Sequence, residues 1–126
     1  MRVLLDTHAF LWWVENDPRL SGAAGKAIEE ATEGLLSIVS CWELAIKVSL
    51  GKLVLSKPIE RLAEVLGASE FRLLPIDLDD AARVVTLPFH HRDPFDRMLV
   101  AQALNEELAI VSGDPIFRKY GVKRIW

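Results

Sequence analysis

Cysteine is almost missing from the 126 residues. The single Cys41 excludes an internal disulfide framework and any thiolate-rich zinc site. Long hydrophobic runs are missing too. The longest charge-free stretch is Gly34 to Trp42, nine residues, against the ~20 that a membrane helix needs. The start has no leader pattern, because Arg2 is followed by only three apolar residues before Asp6. There is no Gly-x-Gly-x-x-Gly and no Gly-x-x-x-x-Gly-Lys-Ser/Thr, which argues against dinucleotide and P-loop nucleotide binding. A Gly-x-Ser-x-Gly elbow for a hydrolase serine is absent as well. No repeat, low-complexity tract or flexible linker divides the chain. The expectation is one cytoplasmic, reduced domain over residues 1–126.

What is present is the mix of a globular protein, 51% hydrophobic and 26% charged. The net charge of −3 gives no general attraction for a polyanion. A nucleic-acid reading must therefore rest on local patches. One is Arg118, Lys119, Lys123 and Arg124, which follow Pro115 without an intervening acid. A solvated basic tail explains the same residues equally well.

Short apolar bursts alternate with helical periodicity. Arg2–Leu5 leads into Asp6 as a buried strand, and Thr7 to Val14 reads as a helix. Ala24, Ala27, Ile28 and Ala31 repeat at helical spacing. Leu35 to Val39 reads as the second strand, and Ser40-Cys-Trp-Glu43 as a capping box opening a helix that stops at Gly51. Pro58 starts another helix, ending near Gly67, and Phe71 to Ile76 is the third strand, with Pro75 marking an edge. Asp79 to Thr86 is a short helix. Asp93-Pro94-Phe95-Asp96 supplies an N-cap, a first-turn proline and an acidic third position for a helix reaching Asn105. Leu108 to Ser112 is the fourth strand, and Val122 to Ile125 a short fifth. The pattern predicts a three-layer α/β/α sandwich around a mainly parallel sheet of four to five strands.

In such a fold the strand carboxyl ends and helix N-termini share one edge, where ligands bind. Asp6, Glu43, Asp96 and Asp114 all fall toward that edge. Singly, each has a structural explanation as a helix cap, a dipole partner or a turn residue. Together, four like charges at one mouth call for a cation. Oxygen ligands without cysteine suit Mg²⁺ or Mn²⁺. Such an ion can activate water against a phosphodiester. His90 and His91 are adjacent and project differently, which makes them surface or substrate-touching residues rather than a metal pair. Cys41 reads as a buried filler.

Four blocks in order carry a resemblance: Leu4-Leu-Asp6-Thr7-His8, Ser40-Cys-Trp-Glu43-Leu-Ala-Ile-Lys47, His91-Arg-Asp-Pro-Phe-Asp96-Arg-Met-Leu-Val-Ala-Gln-Ala103 and Ile110-Val-Ser-Gly-Asp114-Pro-Ile-Phe117. They resemble PIN-domain ribonucleases, and more narrowly the VapC-type toxins of type II toxin–antitoxin modules. The resemblance implies that Asp6, Glu43, Asp96 and Asp114 form the acidic metal site of a Mg²⁺- or Mn²⁺-dependent endoribonuclease, in which either Glu43 or Asp96 takes the proton from the attacking water rather than binding metal directly. It implies an RNA substrate, a cognate antitoxin and a homodimer. Thr7 and Ser112 match positions where the family often carries a hydroxyl beside the site. Asp93 is read as the N-cap and Asp96 as the catalytic acid.

Lys47 lies one turn after Glu43, either as a plain i,i+4 pair or as a charge that offsets the site. Arg92 and Arg97 flank Asp96, and Arg118 and Lys119 lie in the basic tail; all four are candidates for RNA phosphates or for plain solubility. Of the adjacent Trp12 and Trp13, one is expected in the core and the other on a contact surface. Other classes stay open at this point: a DNA or flap-type nuclease, a phosphatase, or a non-enzymatic receiver-like module.

Overall fold

A computed structural model describes residues 1–126. Strand β1 is Arg2–Leu5, and helix α1, Thr7–Val14, begins after a single intervening residue, Asp6. Then come α2 (Gly22–Glu30), β2 (Glu33–Ser37), α3 (Ile38–Ser49), a 3-10 turn at Ile59–Arg61, α4 (Leu62–Gly67) and β3 (Phe71–Leu74). The chain closes with α5 (Leu78–Thr86), α6 (Pro94–Glu106), β4 (Ala109–Val111), α7 (Ile116–Lys119) and β5 (Arg124–Ile125).

The strands form one sheet in the order β3-β2-β1-β4-β5, every pair parallel. In β1, Val3 and Leu5 join one apolar cluster with Phe10, Leu44 and Phe71. Leu4 points the other way, to Leu35, Leu99, Ile110 and Phe117. This period-2 alternation puts a core on each face of the sheet, and helices cover both. The α/β sandwich read from the sequence is the fold observed.

The order also locates a crevice. From β1 the sheet grows one way through β2 and β3, and the other way through β4 and β5. β1 and β4 are therefore neighbours across the point where the winding reverses, where open α/β sheets bind ligands. Asp6 follows β1 and Ser112 follows β4.

Local chemistry explains several junctions. The Asp93 side chain accepts from the Phe95 and Asp96 N–H groups, and Pro94 takes the first helical position of α6, as the sequence predicts. Gly34 is required by a neighbour: a Cβ there would lie 2.6 Å from the Phe71 ring of β3. That ring is itself held against Trp13, their centroids 4.8 Å apart. Trp13 is thus the core-side member of the tryptophan pair.

The junction of β2 and α3 differs from expectation. The strand ends at Ser37, whose hydroxyl accepts from the Val39 N–H, so Ser37 is the N-cap. The capping box read at Ser40 and Glu43 does not form; Ser40 is fully buried inside the helix, and its Oγ has no partner. Ile38 and Val39, read as strand residues, are the first residues of the helix. Glu43 consequently stands in the second turn. Elsewhere, Pro58 precedes its helix rather than occupying the first turn, and β3 ends at Leu74. An Asp77–Asp80 capping box opens α5. The four-residue α7 had no counterpart in the sequence reading.

Candidate active site

Asp6 has little freedom. It caps α1, its Oδ1 accepting from the Ala9 N–H at 2.7 Å, while Oδ2 accepts from Ser112 Oγ–H at 2.5 Å across the reversal point. Only 8% of the residue is exposed. Burial raises its pKa above the ordinary carboxylate value, the two hydrogen bonds and His8 oppose the rise, and Glu43 adds repulsion. Ser112 Oγ also accepts from the Asp114 N–H at 3.0 Å, so one hydroxyl ties the ends of β1 and β4 to the Asp114 loop.

Glu43 reaches the same edge from α3. Thr7 Oγ1–H donates to its Oε1 at 2.6 Å, and Lys47 Nζ–H donates to Oε2 at 2.9 Å. Lys47 thus makes the i,i+4 pair read from the sequence, with a carboxylate at this edge. Asp96 enters from the first turn of α6 and accepts from His91 at Oδ2. Its pKa is pushed up to about 6, first by burial and then by repulsion from Asp93 and Asp6, against the pull of His91. Asp93 is exposed and spends its side chain on the cap. Asp114 is also exposed, and its Oδ1 accepts from the Ile116 N–H at 2.9 Å.

The structure thus brings Glu43 and Asp96 each within electrostatic reach of Asp6, and Asp6 and Asp114 line one cleft. No three carboxylate or imidazole groups stand in chelating positions as they are arranged. Each acid is instead held by a donor of the chain. By type the set fits a hard divalent cation: carboxylate oxygens only, two of them with their charged forms disfavoured by burial and mutual repulsion.

Sequence reasoning missed a support behind Asp96. Tyr120 Oη accepts from Arg97 Nη1–H at 3.2 Å and from the His91 backbone N–H at 3.3 Å. With both lone pairs engaged, its nearest acceptor is His91 Nδ1 at 2.7 Å. Nε2 then carries the ring proton and donates to Asp96 Oδ2 at 3.1 Å. The two residues are 29 apart in sequence, and no spacing rule links them.

Arg97 corrects an expectation. It is 5% exposed, and its guanidinium donates to the carbonyls of Pro88 at 2.8 Å and Leu87 at 3.3 Å. A guanidinium committed to buried carbonyls cannot meet RNA phosphates. Arg92, Arg118 and Lys119 are exposed. Arg124 donates to the Ser112 carbonyl at 3.0 Å, so the basic tail is not wholly solvated. Burial pushes the Cys41 thiol up, which suits an inert filler rather than a nucleophile. Trp12 faces neither core; it lies beside Asp6 and Asp114 with His8, Arg19 and Trp126.

The chain is similar to known proteins in sequence and in fold. The PIN domain family matches residues 3–123. Ribonuclease VapC22 of Mycobacterium tuberculosis is 34% identical over 119 residues, covering 94% of this chain and 91% of that protein. The VapBC2 structure from Rickettsia felis, bound to a promoter DNA fragment, superposes with a TM-score of 0.70 at 15% identity, covering 98% of this chain and 97% of that one. FitAcB from Neisseria gonorrhoeae gives 0.70 at 23% identity, covering 97% and 95%.

Proposed function

We propose a function from one premise: this chain belongs to the PIN-domain family. It is a metal-dependent endoribonuclease, the toxin of a toxin–antitoxin pair, and it hydrolyses RNA phosphodiester bonds by attack of water. The observation that carries the reading is Asp6. It is a buried carboxylate fixed at the reversal point of the sheet, with Glu43 and Asp96 close enough to repel it. Such an arrangement costs stability unless positive charge arrives.

Asp6, Asp96 and Asp114 are the residues that would hold Mg²⁺ or Mn²⁺. When bound, the ion neutralises charge on a phosphate oxygen and lowers the pKa of the attacking water. The chain's own residues do the rest. Glu43, steadied by Thr7 and Lys47, is the residue we assign to take a proton from the attacking water. Ser112 and His91 fix the rotamers of Asp6 and Asp96 from behind. Exposed Arg92, Arg118 and Lys119 are available to phosphates of the bound strand.

An apolar groove of about 430 Å³ between α1, α3 and α4, lined by Phe10, Trp13, Leu44, Leu62 and Val65, is the seat we assign to an antitoxin segment. Ile38 and Trp42 lie one turn apart on α3 and are exposed, Trp42 by 60%. We assign that face to a second copy of the chain. No helix is long and apolar enough to cross a membrane, and an RNA substrate puts the protein to work in the cytoplasm.

Matched RNA and DNA strands, incubated with Mn²⁺ or Mg²⁺ and in parallel with EDTA, test the reading. RNA should be cut internally, only with metal, and DNA spared. Preferential cutting of DNA would make it a DNA or flap-type nuclease. Release of phosphate from a small ester alone would make it a phosphatase, and inertness toward all three would leave a binding module.

A further inference from the structure

Asp6 and Asp114 form one wall of a cleft of about 600 Å³, whose other walls are His8, Trp12, Arg19 and Trp126. The volume lies within the ~300–1,000 Å³ of ordinary small-molecule sites. Three of these side chains present aromatic faces. The Trp12 and Trp126 ring centroids are 5.8 Å apart and tilted by 54°, and His8 stands 5.8 Å from Trp12 at 50°. Tilted rings of this kind do not cover one another's faces. Arg19 lies over Trp12, its Cζ 4.9 Å from the ring centroid. It is held there by Asp17, through Nη2 to Oδ2 at 2.7 Å and Nε to Oδ1 at 3.1 Å.

The second indole is placed as firmly as the first. Trp126 packs against the core cluster beneath α1, and a Cβ on Gly113 would lie 3.1 Å from its ring. Glycine between Ser112 and Asp114 therefore lets the indole close onto the loop that carries the acid. Four side chains with no part in holding a metal or moving a proton are gathered against the acidic wall. A phosphate alone would be repelled by that wall and would gain nothing from the aromatic faces. A flat π-system fits the aromatic half, and a phosphate tethered to it would reach the acidic half only through the cation assigned there.

We propose that this cleft binds one unpaired nucleobase of the RNA, stacked on the Trp12 face from which the exposed Arg19 guanidinium lifts to cover it, with Trp126 at its edge, beside the phosphate to be cut. The inference rests on the ribonuclease reading and adds a base subsite to it. Bases in a duplex have both faces covered by their neighbours, whereas looped or single-stranded bases can be splayed onto aromatic side chains. Because stacking accepts any base, the cleft selects strandedness and not sequence.

Fluorescence anisotropy tests it, with the full chain, Ca²⁺ as the divalent ion, and a short labelled single-stranded RNA. Trp12→Leu and Trp126→Leu should each weaken binding about tenfold, within the ~1–3 kcal/mol that stacking on one aromatic contributes. Trp12→Phe should restore most of it, and Arg19→Gln, at an exposed position that cannot unfold the protein, should cost a smaller factor. The deciding arm is the same RNA with its bases removed and its sugar-phosphate chain intact. Wild type should bind it more weakly, and the tryptophan variants should lose nothing further.

Equal losses on intact and base-free RNA would mean that the tryptophans only hold the fold, and would overturn the proposal. So would unchanged RNA binding with weakened binding of an antitoxin peptide, which would make the cleft a protein-docking site. If wild type cuts RNA and the variants bind it as well as wild type, the subsite alone is wrong. If wild type neither binds nor cuts RNA, the ribonuclease reading falls with it.

Discussion

Replacing Asp96 with Asn is expected to abolish RNA cleavage while leaving the metal-free protein as stable as the parent or more so. The loss of activity should exceed the ~10–100-fold that removal of an outer partner of a metal ligand costs. The stability effect follows from the pKa, raised from 3.8 to about 6. At about 1.4 kcal/mol per unit, ionised Asp96 costs the metal-free fold on the order of 2–3 kcal/mol. For a carboxyl raised on folding, this cost is absent below the unfolded pKa, grows as pH rises through 4 to 6, and is complete above the folded pKa. Asn keeps an acceptor for the His91 Nε2–H and carries no charge. Urea unfolding in EDTA should therefore show the variant gaining on the parent from pH 4 to pH 7. Asp93→Asn is the control, because Asn caps about as well as Asp. An active Asp96→Asn enzyme, or an inactive Asp93→Asn one, would exchange the roles of the two acids.

Glu43→Gln separates catalysis from packing at the second acid. Gln retains an oxygen for Thr7 Oγ1–H and loses the charge that pairs with Lys47. The i,i+4 pair is half-buried, so its loss should cost more than the ~0.3–0.5 kcal/mol of an exposed pair, and the variant should fold with somewhat less than the parent's stability. Cleavage should fall by about 10²–10⁴-fold, the usual contribution of a positioned base. If cleavage persists at the parent's rate, Glu43 is a structural partner of Thr7 and Lys47 only.

Much of this site was legible because its logic is local. Asp6 after an apolar burst, and Asp93-Pro94 ahead of Asp96, obey capping rules that act within three residues, and the structure follows them. The parallel topology then brings Asp6 and Ser112, 106 residues apart in sequence, to the same edge. Where long-range packing decides, the sequence was silent or misleading. Ser37 and Ser40 are equally good caps on paper and equally buried in the fold; they differ only because the chain turns helical at Ile38, which leaves Ser37 as the cap and Ser40 inside the helix. Arg97 looks like any arginine beside an acid until the end of α5 wraps its carbonyls around it. His91 gains its place beside Asp96 from Tyr120, which the turn after α7 delivers into the same apolar cluster as α6. That helix, of four residues, is too short to show a periodicity, whereas the two-residue β5 falls inside the short fifth strand read at Val122 to Ile125.

The central claim is that these carboxylates await a divalent cation, and its most direct test is a calorimetric titration of Mn²⁺ into the metal-free protein at pH 6. Asp96, with a pKa of about 6, is then roughly half protonated and must ionise to hold the ion. Buffers of different ionisation enthalpy should report about half a proton released per site, and Asp96→Asn should lose both the affinity and the proton release. No binding heat at millimolar Mn²⁺, or the same affinity and proton count in Asp96→Asn, would contradict the account.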